Sequence, residues 1–228
     1  MRLADTALPL PAAALAGVIP ALTPPPAPAL EPWADAALPV TSGLELWLDA
    51  SRLETAAAAR STPLPRSGAV EVWRDASGKA RDAVQARRGC QPILDRARAA
   101  VRFDGADDFL SAGGLGEDLG SLTVFVVASV RANPGGFRAF FALSERGRND
   151  YTHGINIDLG GGPTATFDVV NVEGKGSGGQ KNLLDGSFAP GTFHVLAVTF
   201  TPGKDGVRLH ADGRPAGSRP RGAGTMRA

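Results

Sequence analysis

The sequence has little of what many catalytic and metal-binding sites are built from. One cysteine, Cys90, stands in 228 residues, which excludes an internal disulfide, and no Cys/His spacing matches a structural zinc site. Three histidines occur, His153, His194 and His210, and they lie far apart in the sequence. A histidine cluster or a histidine-based catalytic triad therefore has few possible forms.

An excess of charge and long apolar runs are missing as well. The chain carries 24 Lys and Arg against 23 Asp and Glu, a formal net charge of +1. A chain with this net charge has no overall electrostatic field that would attract nucleic acid, so we expect no nucleic-acid partner. No run approaches the ~20 apolar residues of a membrane-spanning helix, which predicts no membrane span.

Glycine and proline are abundant, with 29 and 18 residues. This composition disfavours a helix bundle and indicates short strands joined by turns. Half of the prolines fall within residues 1–40, together with many alanines. Residues 1–42 are therefore predicted to be an extended Pro/Ala-rich leader or linker. Prolines interrupt its one apolar stretch, which argues against a signal peptide.

From Gly43 onward, apolar and polar residues alternate with the period of a β-strand. The segments 44–49 and 70–75 share this pattern, and each runs into Asp-Ala-Ser. An alanine-rich run over 54–60 favours a short helix between them. Further strands, separated by turns rich in Gly and Pro, are expected at 83–86, 101–104, 108–112, 122–130, 137–143, 154–159, 164–172, 193–200 and 207–211.

The strands 122–130 and 193–200 are apolar on both faces, so other parts of the protein should cover each face. Central strands of two packed sheets have this pattern. A parallel α/β sheet would need crossover helices of a dozen residues, and the sequence offers none. We therefore predict an all-β chain, a two-sheet antiparallel β-sandwich or jelly roll.

The densest polar and aromatic segment spans residues 149–153. Tyr151, the single tyrosine, offers a face for stacking on a sugar ring, and Asn149, Asp150 and His153 offer hydrogen bonds to hydroxyl groups. These four are the predicted ligand-binding residues. A turn that satisfies its own backbone is the alternative.

Asp104, Asp107 and Asp108 lie within one short turn. Carboxylate oxygens close together suit calcium, so these three are the predicted metal ligands and calcium the predicted cofactor. The alternative is a hairpin turn with solvated carboxylates, since the spacing is not that of an EF-hand loop.

Several segments resemble the LamG-like jelly-roll domain of the concanavalin A-like lectin/glucanase superfamily, of the type found in bacterial multidomain proteins. They occur in the order found in that family: 44–51 (LELWLDAS), 72–78 (VWRDASG), 91–92 (QP), 101–110 (VRFDGADDFL), 123–130 and 207–213. The resemblance covers residues 43–215. It implies two antiparallel sheets, frequent calcium binding, and an extracellular, periplasmic or cell-surface location.

The sequence departs from the family after the Asp-Gly turn at 212–213. Such domains continue into further strands, whereas an Arg/Gly-rich stretch follows here. We therefore expect an incomplete domain over 43–215 with an unpaired sheet edge, and a solvated Arg/Gly-rich tail over 216–228.

The resemblance implies a non-catalytic binding module, a carbohydrate-binding accessory domain of a larger secreted protein. Its partner would be a carbohydrate or a neighbouring domain of a longer chain. The alternatives are a structural spacer or protein-interaction module, and a glycoside hydrolase.

The hydrolase is disfavoured because such enzymes in this superfamily carry three alternating carboxylates on one strand. The segments 45–49 and 71–75 each have tryptophan at the central position, and we interpret Trp47 and Trp73 as core residues. Asp168 and Glu173 are five residues apart, which would point them to opposite faces of a regular strand. We therefore expect no catalytic residue.

Overall fold

The computed structural model describes residues 29–39, 41–115 and 119–226, and β-strands dominate this part of the chain. Its α-helices are short, α1 over Leu53–Ala59 and α2 over Asp150–His153, and single 3-10 turns span Ala50–Arg52 and Arg88–Cys90. The strands within the described residues are β1 Val72–Trp73, β2 Ala83–Val84, β3 Ile93–Asp95, β4 Ala100–Arg102, β5 Leu122–Ala128, β6 Ala139–Leu143, β7 Ile155–Asp158, β8 Asn171–Gly174, β9 His194–Phe200, β10 Gly203–Ala211 and β11 Arg214–Arg221.

Every strand pair among the described residues is antiparallel. A four-stranded sheet has the order β11-β10-β9-β5, a three-stranded sheet has the order β6-β7-β8, and β1-β2 and β3-β4 form two small pairs. The predicted all-β, antiparallel class is confirmed, as is the short alanine-rich helix. None of the described helices has the length and apolar character needed to cross a lipid bilayer.

The four-stranded and three-stranded sheets share one hydrophobic core. Side chains alternate along each strand, so one apolar set from each sheet points to this shared core. Burying a side chain of this size stabilises the fold by about 1.5–3 kcal/mol. The most deeply buried members are Ile155, Ile157, Phe167, Val170, Val172, Leu196, Val198, Phe200, Val207, Leu209 and Met226.

Strand β5 corrects one sequence-based expectation. Because both of its faces carry apolar residues, the sequence predicted that other parts of the protein cover both faces. In the four-stranded sheet, however, β5 is an edge strand. Its outward side chains Phe125 and Val127 are 72% and 66% exposed, and Val195, opposite Val127 on β9, is exposed as well. Within the described residues this face is an exposed apolar patch, so the prediction of outer cover is wrong there.

The repeated Asp-Ala-Ser sequence forms the same pair of hydrogen bonds twice. Asp49 accepts hydrogen bonds from the N–H and the hydroxyl of Ser51 at 2.9 and 2.6 Å. Asp75 accepts from the same two groups of Ser77 at 2.9 and 2.7 Å. Each aspartate therefore folds the chain into a compact turn after an extended segment.

Asp75 also joins segments that are distant in sequence. It is buried, and it accepts from the backbone N–H groups of Trp47 at 3.0 Å and Arg81 at 3.0 Å. The segment 44–49, predicted to be a strand, contributes one isolated bridge between Leu48 and Asp75. The carboxylate, rather than a strand ladder, holds this part of the domain together.

The predicted leader reaches into the domain. Trp33 is buried and belongs to a small apolar cluster with Ala76. The predicted domain start at Gly43 is therefore too late. The rest of the predicted leader, residues 1–28 and Val40, lies outside the described residues.

The segment predicted to be a solvated Arg/Gly-rich tail contains most of strand β11. Arg219 and Arg221 are buried, and Arg221 is only 2% exposed. The guanidinium group of Arg221 donates to the carbonyl oxygens of Lys175, Gly120 and Gly224 at 3.0, 3.1 and 2.7 Å. The prediction is wrong because these arginines satisfy buried carbonyl groups instead of extending into solvent.

Replacing Arg221 should test this anchoring. Arg221→Met keeps most of the side-chain bulk but leaves three carbonyl groups without their donor, so we expect a loss of about 3 kcal/mol in the free energy of unfolding. Urea denaturation followed by tryptophan fluorescence measures it. Arg214→Met, at an exposed position of the same strand, is the control and should change stability little. Equal losses in both variants would contradict the anchoring.

Candidate functional site

The predicted ligand-binding residues lie together at α2. Asn149 is the N-cap of this helix, and its Oδ1 accepts from the N–H of Thr152 at 2.9 Å. Asp150 accepts from the N–H of Tyr151 at 2.8 Å, and Nδ1 of His153 lies 2.7 Å from the hydroxyl of Thr152. Asn149 and His153 therefore make contacts within the turn itself, as the alternative interpretation expected. Tyr151 as a residue is 49% exposed.

Helix α2 contacts β7 and β8. These two strands carry polar residues on the face that points away from the apolar core. Asn156 and Asp158 alternate with core residues on β7, and Asn171 and Glu173 do so on β8. The antiparallel register places Asn156 opposite Glu173 and Asp158 opposite Asn171. All four are buried. We refer to these four residues as the polar cluster.

Asn171 lies at the centre of the polar cluster. Its Nδ2 donates to Oδ2 of Asp158 at 3.0 Å and to Oε1 of Glu173 at 3.3 Å, and its Oδ1 accepts from the N–H of Lys181 at 2.6 Å. The N–H of Gly160 donates to the other oxygen of Asp158 at 2.5 Å. Oδ1 of Asn156 is buried and has no hydrogen-bond partner. One amide group therefore serves two carboxylates, while another amide oxygen is unsatisfied.

The pKa values of both carboxyl groups of the polar cluster are raised. Burial raises the pKa of Asp158, and the nearby carboxylate of Asp150 raises it further, although hydrogen bonds from Gly160 and Asn171 oppose this. Burial also raises the pKa of Glu173, and Asp158 and Asp150 add to the effect. The hydrogen bond from Asn171 and the charge of Arg219 reduce that rise without cancelling it. Asp150 thus links the predicted turn electrostatically to the polar cluster.

Sequence reasoning missed the polar cluster. In the sequence, Glu173 is compared with Asp168 as a possible pair of carboxylates on one strand. In the structure Asp168 precedes β8 and is not part of that strand. The usable signal lies in two short sequences, Ile-Asn-Ile-Asp at 155–158 and Val-Asn-Val-Glu at 170–173. Each places an amide and an acid on the same face of a strand, and antiparallel pairing of the two would bring each amide opposite an acid.

The predicted metal ligands Asp104, Asp107 and Asp108 do lie together. One carboxylate oxygen of each is within 4.8 Å of the others. Two of these carboxylates already accept hydrogen bonds. Oδ1 of Asp104 accepts from the N–H of Ala106 at 2.8 Å, and the thiol of Cys90, from the 3-10 turn at 88–90, donates to Asp107 at 3.3 Å. The oxygen donors suit calcium, and calcium binding here stays a prediction.

A surface depression of about 480 Å³ lies on a different sheet from the polar cluster. It is formed by β10 and β11, and the hydroxyl of Ser218 donates to Asp205 across it at 3.0 Å. Its lining residues are Asp205, Arg208, Leu209, His210, Pro215, Ala216, Gly217 and Ser218. None of the predicted site residues lines it.

Comparisons with protein-family models, with curated proteins and with solved structures found no match for this chain.

The buried carboxylates predict a pH-dependent stability. A carboxyl group whose pKa is raised on folding binds more protons in the native state, so stability falls as pH rises from its ordinary pKa, 3.8 for Asp158 and 4.5 for Glu173, through the raised value. Asp158→Asn removes one of these groups and should give a flatter dependence of unfolding free energy on pH as the pH rises above the ordinary pKa of Asp158, 3.8.

Denaturant unfolding at a series of pH values measures this slope. Asp185→Asn, at an exposed aspartate, is the control and should leave the slope unchanged. A uniform loss of stability at all pH values in Asp158→Asn would reflect only the altered hydrogen bonds to Gly160 and Asn171. An unchanged slope would show that Asp158 does not titrate as the structure indicates.

Proposed function

We propose that this chain is a non-catalytic, LamG-like carbohydrate-binding module with a jelly-roll arrangement, an accessory domain of a larger secreted protein. The observation that carries the proposal is the half-exposed Tyr151 on α2, a helix that contacts β7 and β8, the two strands that bear the polar cluster. Aromatic faces bind the apolar side of a sugar ring, and carboxylate and amide groups hydrogen-bond its hydroxyls.

A small residue borders the polar cluster on one side, although the four members of the cluster are themselves buried. Ala142 on β6 is the cross-strand neighbour of Asn156, and it is small and exposed. No bulky side chain at this position covers the polar face. Asp150, partly exposed on α2, adds a carboxylate at the same place. A saccharide resting on Tyr151 would meet Asp150 and the rim of the polar cluster.

The roles of the acidic residues support a binding rather than a catalytic function. Asp158 has no exposed surface, and both of its oxygens already accept hydrogen bonds. In the tryptophan-containing segment 45–49, Glu45 forms salt bridges with Lys79 at 3.1 Å and Arg81 at 2.6 Å. Burial favours a higher pKa for Glu45, but the hydrogen bonds from Arg81 and Lys79 outweigh it and hold the pKa below its ordinary value. Such a carboxylate is a poor general acid.

The resemblance supports two further parts of the proposal. An extracellular, periplasmic or cell-surface location follows from the proteins in which LamG-like domains occur. Calcium at the turn of Asp104, Asp107 and Asp108 follows from the same family and fits the oxygen donors there. Calcium would bind these carboxylates and hold the turn rigid.

A protein-interaction or spacer module is the second candidate. The exposed patch on the outer face of the four-stranded sheet favours it, because Phe125, Val127 and Val195 adjoin one another there. Exposed apolar patches commonly mark surfaces that pack against a partner or a neighbouring domain.

A glycan array with the full chain, with and without calcium, tests the first candidate. We expect binding to at least one glycan and a loss of affinity of about tenfold in Tyr151→Ala, because burying an aromatic face is worth about 1.5 kcal/mol or more. Phe125→Ala, which removes a more exposed aromatic from the other sheet, is the matched control and should bind as the wild type does.

Absence of binding to every glycan in both conditions would overturn the carbohydrate proposal and leave the second candidate. Equal losses in the Tyr151 and Phe125 variants would also contradict it, since only Tyr151 lies on the helix that contacts β7 and β8.

A further inference from the structure

The two edges of the four-stranded sheet differ in how they are protected. Strand β11, at one edge, contains two prolines and three arginines, and register shifts interrupt its pairing with β10. Strand β5, at the opposite edge, has no charged residue and no proline, and its pairing with β9 runs from Leu122 to Ala128 without a shift. Prolines, charges and bulges are the features that keep a sheet edge from pairing with another strand. The β11 edge has all three, whereas the β5 edge has none.

Strand β5 also leaves backbone and side-chain groups without a partner. Within the described residues, the N–H and C=O groups that it directs away from β9 make no hydrogen bond to other parts of the chain. On the inner face, Leu122 and Val126 pack against the core but are only partly buried. On the outer face, Phe125 and Val127 are largely exposed. A neighbouring strand would satisfy the backbone groups and cover side chains on both faces.

A strand that fits this edge must be uncharged, apolar on both faces and regular. β5 itself meets these conditions. The edge strands of the other large sheet do not, because a register shift follows Ala139 in β6, and β8 already makes bridges to Gly178 and Asn182 on its outer side. Among the described strands, the β5 edge of a second copy is therefore the best match for the β5 edge of the first.

We propose that two copies of this chain pair through β5, antiparallel and about a twofold axis at Phe125, and that their two four-stranded sheets join into one sheet of eight strands. On the outer face, the axis places Phe125 opposite the partner's Phe125, and Thr123 opposite the partner's Val127. On the inner face, it places Val124 opposite the partner's Val126. Aromatic and β-branched pairs of this kind stabilise antiparallel strands. The pairing does not depend on the proposed binding of a saccharide.

Charge and size are those of a weak symmetric dimer. The formal net charge of the chain is +1, so two copies repel each other little. The first charged residue after β5 is Arg131, and antiparallel pairing keeps the Arg131 side chains of the two copies at opposite ends of the strand pair. Two seven-residue strands, each about 24 Å long, make a smaller contact than the ~800 Å² per partner of a standard interface. We therefore expect a reversible dimer with a dissociation constant of about 10 µM.

Sedimentation equilibrium of the full chain, at concentrations below and above this value, tests the proposal. We expect a reversible monomer–dimer equilibrium. Phe125→Lys removes the aromatic pair and places two like charges opposite each other at the axis, so it should weaken the dimer about tenfold. Phe125→Glu should do the same, and an equal mixture of the two variants should dimerise again because opposite charges then meet. Val195→Lys is the matched control, since it adds the same charge to the same exposed face but one strand away from the edge, and it should leave the equilibrium unchanged.

Cross-linking at the axis gives a second test that does not depend on weakening the dimer. In a Cys90→Ser background, which removes the native thiol, Phe125→Cys should form a disulfide-linked dimer on mild oxidation. Directly opposite Cα atoms of antiparallel strands lie about 4.5–5.5 Å apart, within the range that a disulfide spans. Val195→Cys in the same background should not cross-link.

A full chain that stays monomeric at every concentration would overturn the proposal. Equal weakening by Phe125→Lys and Val195→Lys would overturn it as well, since it would indicate that two sheet faces pack together instead of two edges pairing. Growth into assemblies larger than a dimer would contradict the closed twofold arrangement. No saccharide is present in these measurements, so their failure is distinct from failure on the glycan array.

Discussion

The pairing of β7 with β8 determines both the core and the candidate site. The register that places Ile157 opposite Val172 in the core also places Asp158 opposite Asn171 on the other face. Because side chains alternate along a strand, a slip of one residue would exchange the faces and bring carboxylates into the core. Core packing therefore specifies the arrangement of the polar cluster, whatever that cluster binds.

Polar side chains, rather than strand ladders, connect the pieces around this sheet pair. Arg219 of β11 reaches the carbonyl of Val172 on β8, and Arg221 reaches that of Lys175 just beyond it. In the first third of the chain, Asp75 connects segments in the same way, because its carboxylate accepts four hydrogen bonds. In each case a charged group satisfies buried or partly buried backbone groups that irregular segments would otherwise leave unpaired.

Features that depend on neighbouring residues could be predicted from the sequence, whereas features that depend on contacts between distant residues could not. Alternation and turn residues are local, so the antiparallel all-β class, α1 and the Asp212-Gly213 turn between β10 and β11 could be predicted. β11 could not, because Pro and Gly are poor strand formers and the carbonyls of Val172 and Lys175, which accept from its arginines, lie more than forty residues away. The α2 turn was found by its composition, whereas the polar cluster needed the register between two strands.

The uncharged apolar sequence of β5 has a consequence for synthesis of the chain. Its partner in the sheet is β9. During translation, roughly seventy further residues must be synthesised before β5 can pair with β9, which takes several seconds at ordinary elongation rates. Arg221 and Gly120, which bond across 101 residues, come together later still. Until then both edges of β5 are unpaired and both of its faces are apolar, which makes this segment of the nascent chain prone to aggregation.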